Sequence, residues 1–231
     1  NTKLSMIGGI MENPLWTVDP MVWDGDLSMD GFAVKASHQL GEAANVFTNN
    51  GIFYLDSDES EPSVLWVAQG GLALTPFASS TEEILKNFKL TTAVAYHDYE
   101  NTYTTAANKS GTDPITREAD NFTCCEFNQL NPSVELGSSF GGMPFSFFGD
   151  YVQNMSAGVD NENQGYALGV KLNKATVPWD LKRGWEAGYM FERLERAAAY
   201  DEFADSAFGG RGANRRANVI WLTLAPLPNS T

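Results

Sequence analysis

Cysteine is nearly missing from this chain: Cys124 and Cys125 are the only two in 231 residues, and they are neighbours. Adjacent cysteines bridge poorly, so no disulfide framework is expected, and an intermolecular or lipid-linked role for the pair has no support. Histidine is as scarce, so a two-histidine metal or catalytic site needs His38 and His97 to converge. Lys and Arg number 15 against 29 Asp and Glu, a formal net charge of -14. That excludes nucleic acid as a partner, because phosphate binding is driven by Lys and Arg. It suits cations or an acidic outer surface; acidity that only maintains solubility is the plain alternative. No apolar run approaches the ~18 residues of a membrane helix. Barrel strands alternate apolar and polar residues and escape such a scan, so a membrane is not excluded. There is no Gly-x-Ser-x-Gly elbow, Cys-x-x-Cys or phosphate loop. Glu192 and Glu195 mimic a carboxylate pair only in sequence, whereas glycosidase carboxylates are defined by spatial separation. An enzyme is therefore not expected.

What is present is apolar, aromatic and periodic. Hydrophobic residues reach 43%, enough for a packed or membrane-buried structure, and there are 14 Phe, 8 Tyr, 6 Trp and 21 Gly. Side chains alternate across a strand, and period two is the clearest signal. In 165–174, Tyr166, Leu168, Val170 and Leu172 oppose Ala167, Gly169, Lys171 and Asn173. The pattern recurs in 31–40, 64–74, 87–100, 144–154 and 185–191, with Phe148 and Val152 blurring 144–154. Weaker candidates are 3–10, 45–55, 126–137 and 217–224, which makes ten strands. Several approach the ~9–11 residues of a tilted membrane strand, beyond the ~5–6 of soluble domains. Short spacers (41–44, 141–143, 174–180) alternate with longer acidic or Asn/Gly-rich ones (14–30, 56–62, 101–125, 155–164, 197–216). Tight turns at one end and long loops at the other describe an outer-membrane barrel with extracellular loops. Residues 80–86 read as one or two helical turns, and 192–204 as a helix or a strand running into a loop. No low-complexity linker divides the chain, so residues 1–231 are read as one all-β antiparallel domain.

Ordered motifs add a resemblance. Glu12-Asn13-Pro14-Leu15-Trp16, then Trp23-Asp24-Gly25-Asp26-Leu27 and Gly31-Phe32-Ala33-Val34, resemble the putative porin family of Gram-negative bacteria. Residues 144–152, 184–189 and 203–210 look like its later strands and closing loop, so the similarity runs from about residue 3 to about 224. The resemblance implies a transmembrane β-barrel passing small hydrophilic solutes or ions, monomeric or a homotrimer, in contact with outer-membrane lipid and lipopolysaccharide. Two departures accompany it. The chain ends in 226–231, Pro-Leu-Pro-Asn-Ser-Thr, and not in a strand with a terminal aromatic. Ten strands are few beside the ~16–18 of open porins. A part of a larger barrel is expected. Asn1-Thr2-Lys3 shows no signal peptide, so either it was removed or the chain begins inside a longer protein.

On this reading the apolar face meets lipid. Trp16, Trp23, Trp66, Tyr151, Trp179, Trp185 and Tyr189 are girdle candidates at the headgroup level, against the commoner use of such rings in a soluble core. The opposite face lines water, with Lys3, Lys35, Gln39, Gln69, Lys89, His97, Asn131, Glu135, Asp150, Lys171 and Glu186 as pore-lining candidates. Both signs are present, so no ion preference follows. No cofactor is expected. The acidic loops offer a calcium alternative, with Asp24, Asp26, Asp30, Asp56 and Asp58 as candidate ligands, but neither carries the full EF-hand pattern. Arg211, Arg215 and Arg216 are read as partners of Asp201, Glu202 and Asp205, with lipopolysaccharide phosphate or the lumen as alternatives. The rival functions are an envelope scaffold or adhesion barrel with a filled lumen, a soluble carbohydrate-binding β-sandwich, and an outer-membrane phospholipase, which lacks its Ser/His/Asn arrangement here.

Overall fold

The structure, a computed structural model, describes residues 1–56, 62–101, 127–156, 162–176, 184–200, 203–204 and 213–225. Among them are ten strands: β1 (Thr2–Met11), β2 (Met29–Leu40), β3 (Ala44–Asp56), β4 (Ser63–Leu74), β5 (Lys89–Glu100), β6 (Phe127–Phe140), β7 (Met143–Asn154), β8 (Gln164–Asn173), β9 (Trp185–Leu194) and β10 (Arg215–Leu224). A one-turn helix, α1 (Glu83–Lys86), lies between β4 and β5. The period-two segments and the strands coincide within a few residues, and the stretch from 192 continues β9 to Leu194 before turning. Strand order follows chain order from β1 to β10 in one sheet. Every neighbouring pair is antiparallel. Among the described residues the sheet is open, since β1 pairs only with β2 and β10 only with β9.

The sheet curls. Gln69 on β4 holds Trp16, and Lys171 on β8 holds Val18, two residues further on. In a flat sheet those strands stand four steps apart, roughly 19 Å. A stretch of three residues bridges them only across a concave face.

The convex face carries the apolar rows. Phe32, Trp66, Val94, Leu130, Phe147, Leu168 and Ile220 all point outward and are exposed, Phe147 at 56% and Ile220 at 81%. Charges on this face keep to the strand ends. Asp30, Asp98, Glu100, Arg193 and Arg216 lie within three residues of the end bearing the long connections. His38 lies near the other end.

The concave face is packed by two clusters. One joins Met11, Leu15, Trp23, Phe53, Leu65, Tyr99, Phe127, Tyr200 and Phe203. The other joins Val18, Met21, Val22, Phe148, Val152, Met190, Leu194 and Ala198. Phe148 and Val152 therefore break their strand's alternation pattern for a reason: they face a filled interior, not water. Inward aromatic rings lie flat over a glycine directly opposite, as in Phe148 over Gly169 and Trp221 over Gly188. A Cβ on Gly188 would stand 2.0 Å from the Trp221 ring, so only glycine fits there.

At the short-turn end β6 and β7 join through Gly141 and Gly142, at φ 61° and 77°. Two successive positive φ values give the hairpin turn whose twist matches the strands. The carboxylate of Glu83 accepts from the N–H groups of Gly142 at 2.9 Å and Gly141 at 3.0 Å. These bonds, Gly142 first, hold the Glu83 carboxyl below its ordinary value. A lowered folded value means the cap is complete above the ordinary carboxylate range and is lost as pH falls through the lowered value. Amide exchange at Gly141 and Gly142 should accelerate, relative to the intrinsic rate, over that acid window. In Glu83→Gln it should be faster at neutral pH and flat across the window.

Candidate functional site

The first long connection, residues 12–28, does not project outward as the sequence suggests; it folds back onto the concave face. Its apolar residues explain this, since exposing Val18, Met21, Val22 and Trp23 to water is costly. All four are buried, Trp23 at 3% exposure. Its polar residues shape it. Asn13 Oδ1 accepts from the N–H of Leu15 (2.9 Å), Asp19 Oδ1 from Met21 (2.9 Å) and Asp24 Oδ1 from Asp26 (3.1 Å). Such turns are what Asn and Asp make beside Pro and Gly.

Three contacts anchor the connection. At β4 the Gln69 amide behaves as a strand partner: its Oε1 accepts from the Trp16 N–H and its Nε2 donates to the Trp16 carbonyl, both at 2.8 Å. Asn49 Nδ2 donates to the same Oε1 at 2.8 Å and orients it. At β8, Lys171 Nζ donates to the Val18 carbonyl at 2.7 Å and lies 4.7 Å from the Phe148 ring centroid. At the far side the Asp24 N–H donates to the Phe203 carbonyl at 2.7 Å, which ties this connection to the one between β9 and β10. The Trp23 ring meets Phe53 and Phe203 edge-on at 5.5 and 5.7 Å. Tyr200 stacks on Tyr99 of β5 at 4.9 Å. The described residues of the second connection, 195–200 and 203–204, are thus also drawn inward, and Asn154 Nδ2 holds the Ala197 carbonyl at 3.0 Å.

Beneath the first connection lies a polar group on β6 and β7. Asp150 Oδ1 accepts from Ser133 Oγ at 2.6 Å and Asn131 Nδ2 at 2.8 Å. Asp19 brings a second carboxyl against Asp150. Burial first, and then the Asp150 charge, raises the Asp19 carboxyl well above its ordinary value. Behind this group Arg215 Nε pairs with Glu192 Oε1 at 2.5 Å, both buried.

The pore-lining candidates all point to the concave face but divide by depth. Gln69, His97, Asn131 and Asp150 are sealed under the in-folded segments, His97 at 1% exposure. They do not line open water; the apolar filling of the long-connection half took their solvent. Lys3, Lys35, Gln39, Lys89, Glu135, Lys171 and Glu186 keep solvent contact toward the short-turn half. A hollow of about 930 Å³ borders Lys3, Ser5, Lys35, Ser37, Asn49 and Trp16.

The girdle candidates divide too. Trp66, Tyr151, Trp185 and Tyr189 stand on the convex face, and Tyr54, Tyr96 and Tyr166 join them there. Tyr96 and Tyr166 lie on the apolar rows of 87–100 and 165–174, a period-two signal already present in the sequence. Trp16 and Trp23 are on the other side of the sheet, because their segment turns inward. Trp179 lies outside the described residues, as do Asp58, Cys124, Cys125 and Arg211. Among the described residues no three carboxylate, His or Cys groups gather into a metal site, so Asp24, Asp26 and Asp30 do not form one. Arg215 takes Glu192 as its partner.

Against known proteins, the family model described as putative porin matches residues 1–139, which covers β1 to most of β6. The motifs at 144–152, 184–189 and 203–210 lie beyond the matched part. No curated protein matches the chain, and no solved structure does.

Asp19→Asn should keep the turn to Met21 and remove one of the two facing carboxyls. A raised folded value means Asp19 favours folding while protonated and loses that contribution as pH rises through the raised value. The variant should therefore unfold at higher denaturant than the parent at neutral pH, and the gap should close toward acid pH. Tryptophan fluorescence during unfolding reads both.

Proposed function

Because the chain belongs to the putative porin family, whose model matches more than half of it, we propose that it forms barrel wall in the outer membrane of a Gram-negative bacterium and conducts small hydrophilic solutes passively. The observation that carries this reading is the two-sidedness of the sheet. Its convex rows are largely apolar across the middle of the strands from β2 to β10, with Thr48 and Asn50 on β3 and Asn218 on β10 as polar breaks, and with charges held to the ends. Toward the short turns its concave face carries Lys3, Ser5, Lys35 and Ser37 beside Ile7 and Phe47. Backbone groups in hydrocarbon need partners within the protein, which a continuous ladder provides for every strand with two neighbours.

The in-folded connection sets the width of the path. It occupies the long-connection half of the concave face, and the solvated half lies below it. Along that half Lys3, Lys35, Lys89 and Lys171 share the concave face with Glu135 and Glu186. The excess is basic within an acidic chain. A ring of one sign in a wet lumen favours the opposite ion, so the proposed path prefers anions. Transport is by diffusion, with no chemical step. The dense packing around Trp23 and Tyr200 favours one other reading, a barrel with a filled lumen and a scaffold role.

Planar-bilayer recording separates them. Discrete conductance steps, together with heat-modifiable migration on a denaturing gel, are expected of the pore; silence at every voltage, with heat-modifiable migration retained, refutes conduction and favours the scaffold. Across a potassium chloride gradient the reversal potential should lie on the chloride side, and a double Lys3→Glu, Lys35→Glu variant should move it toward potassium. Gln69→Ala strips the Trp16 backbone of two bonds, at about 1–3 kcal/mol for groups left buried and unmatched. It should raise the unitary conductance or its noise without changing the strand content.

A further inference from the structure

We infer that the rim where β9 meets β10 is a phosphate site, with Arg193 and Arg216 as its ligands and the phosphate of an anionic lipid headgroup as its occupant. This inference rests on the reading that the convex face meets lipid, and is independent of conduction. Arg193 and Arg216 stand directly opposite each other in the ladder. Their neighbours Leu194 and Arg215 face the core, so both guanidiniums are on the convex side. Like charges placed opposite destabilise a strand pair, and a shared anion removes that cost.

The built-in carboxylates do so only in part. Arg193 Nη2 lies 3.0 Å from Glu195 Oε1. Arg216 has no carboxylate partner among the described residues; its guanidinium lies over the Phe191 ring, 5.3 Å from the centroid. Four of the chain's 15 cations, Arg193, Arg196, Arg215 and Arg216, border one hollow of about 200 Å³ at this rim, with Glu162 and Glu195. Arg196 pairs with Glu162 at 2.7 Å and Arg215 with Glu192, so among the described residues the cation left over at this rim is Arg216, beside an Arg193 only partly engaged by Glu195. Guanidinium forks match phosphate oxygens two at a time.

The surroundings select a lipid over a free ion. Tyr166 is paired in register with Arg193, and its ring lies 5.9 Å from Phe191. Below them the convex face is apolar through Leu168 and Ile220. A headgroup phosphate at the arginine level would therefore have its acyl chains against that belt.

The test uses the full chain in zwitterionic detergent and native mass spectrometry. The probes are bisphosphorylated lipid A, its dephosphorylated form, phosphatidylcholine and inorganic phosphate. The parent should retain phosphorylated lipid A, and the double Arg193→Gln, Arg216→Gln variant should hold it about tenfold more weakly. Both proteins should bind phosphatidylcholine equally and keep heat-modifiable migration, which shows that the variant is folded. Equal retention of the dephosphorylated form, or an unchanged variant, would overturn the site. Inorganic phosphate that binds alone and displaces lipid A would overturn the lipid assignment in favour of a free anion. If no lipid binds at all, the membrane reading itself fails, which is a different result.

Discussion

Register is the constraint on which the rest of this molecule depends. Each strand pairs with its sequence neighbour over about ten residues, and the pairing decides which row of side chains faces which way. A slip of one residue would move every outward Leu, Val and Phe to the concave side. It would also separate Phe148 from Gly169 and Trp221 from Gly188, the close pairs that let inward rings lie flat. The Gly141–Gly142 turn, capped by Glu83, pins one such register from its end.

Given that register, the concave face becomes two environments stacked along the strands. Toward the long connections it is dry, filled by residues 12–28 and by Tyr200 and Phe203. Toward the short turns it is wet and carries the accessible lysines. The boundary is polar and specific. Gln69 binds a backbone as another strand would, Lys171 reaches over to Val18, and Asp19 sits against Asp150. Gln69 and Asp150 are buried, so losing either one's partner destabilises the in-folded segment more than an exposed contact of the same kind could. Any path for solute is therefore bounded by a segment that packing and hydrogen bonds hold in place.

The outer surface follows a different logic. It has no internal packing to satisfy, and its charges stay near the strand ends while its middle is largely apolar. The Arg193–Arg216 pair is among those charges.

Residue order by itself determined the strands, their number and their facing, because the two-residue period of a strand is a local property that needs no partner to be seen. It also determined the tight turns at 41–43 and 141–142 and the motifs that carry the family resemblance, but not the whole division of the connections: 174–184, whose first residues read as a short spacer, is longer than 57–62 or 155–163. Tertiary structure alone decided where the long connections go. Trp16 and Trp23 read as girdle residues because a tryptophan beside a strand end suits an interface. The turns at Asn13, Asp19 and Asp24 instead carry them inward, onto partners as distant in sequence as Phe203. His97, Asn131 and Asp150 likewise face inward, as their positions in the pattern imply, but whether water reaches them depends on what lies above. Alternation tells one face of a sheet from the other; it does not say whether that face meets solvent or another part of the same chain, because that is settled by contacts between residues far apart in sequence.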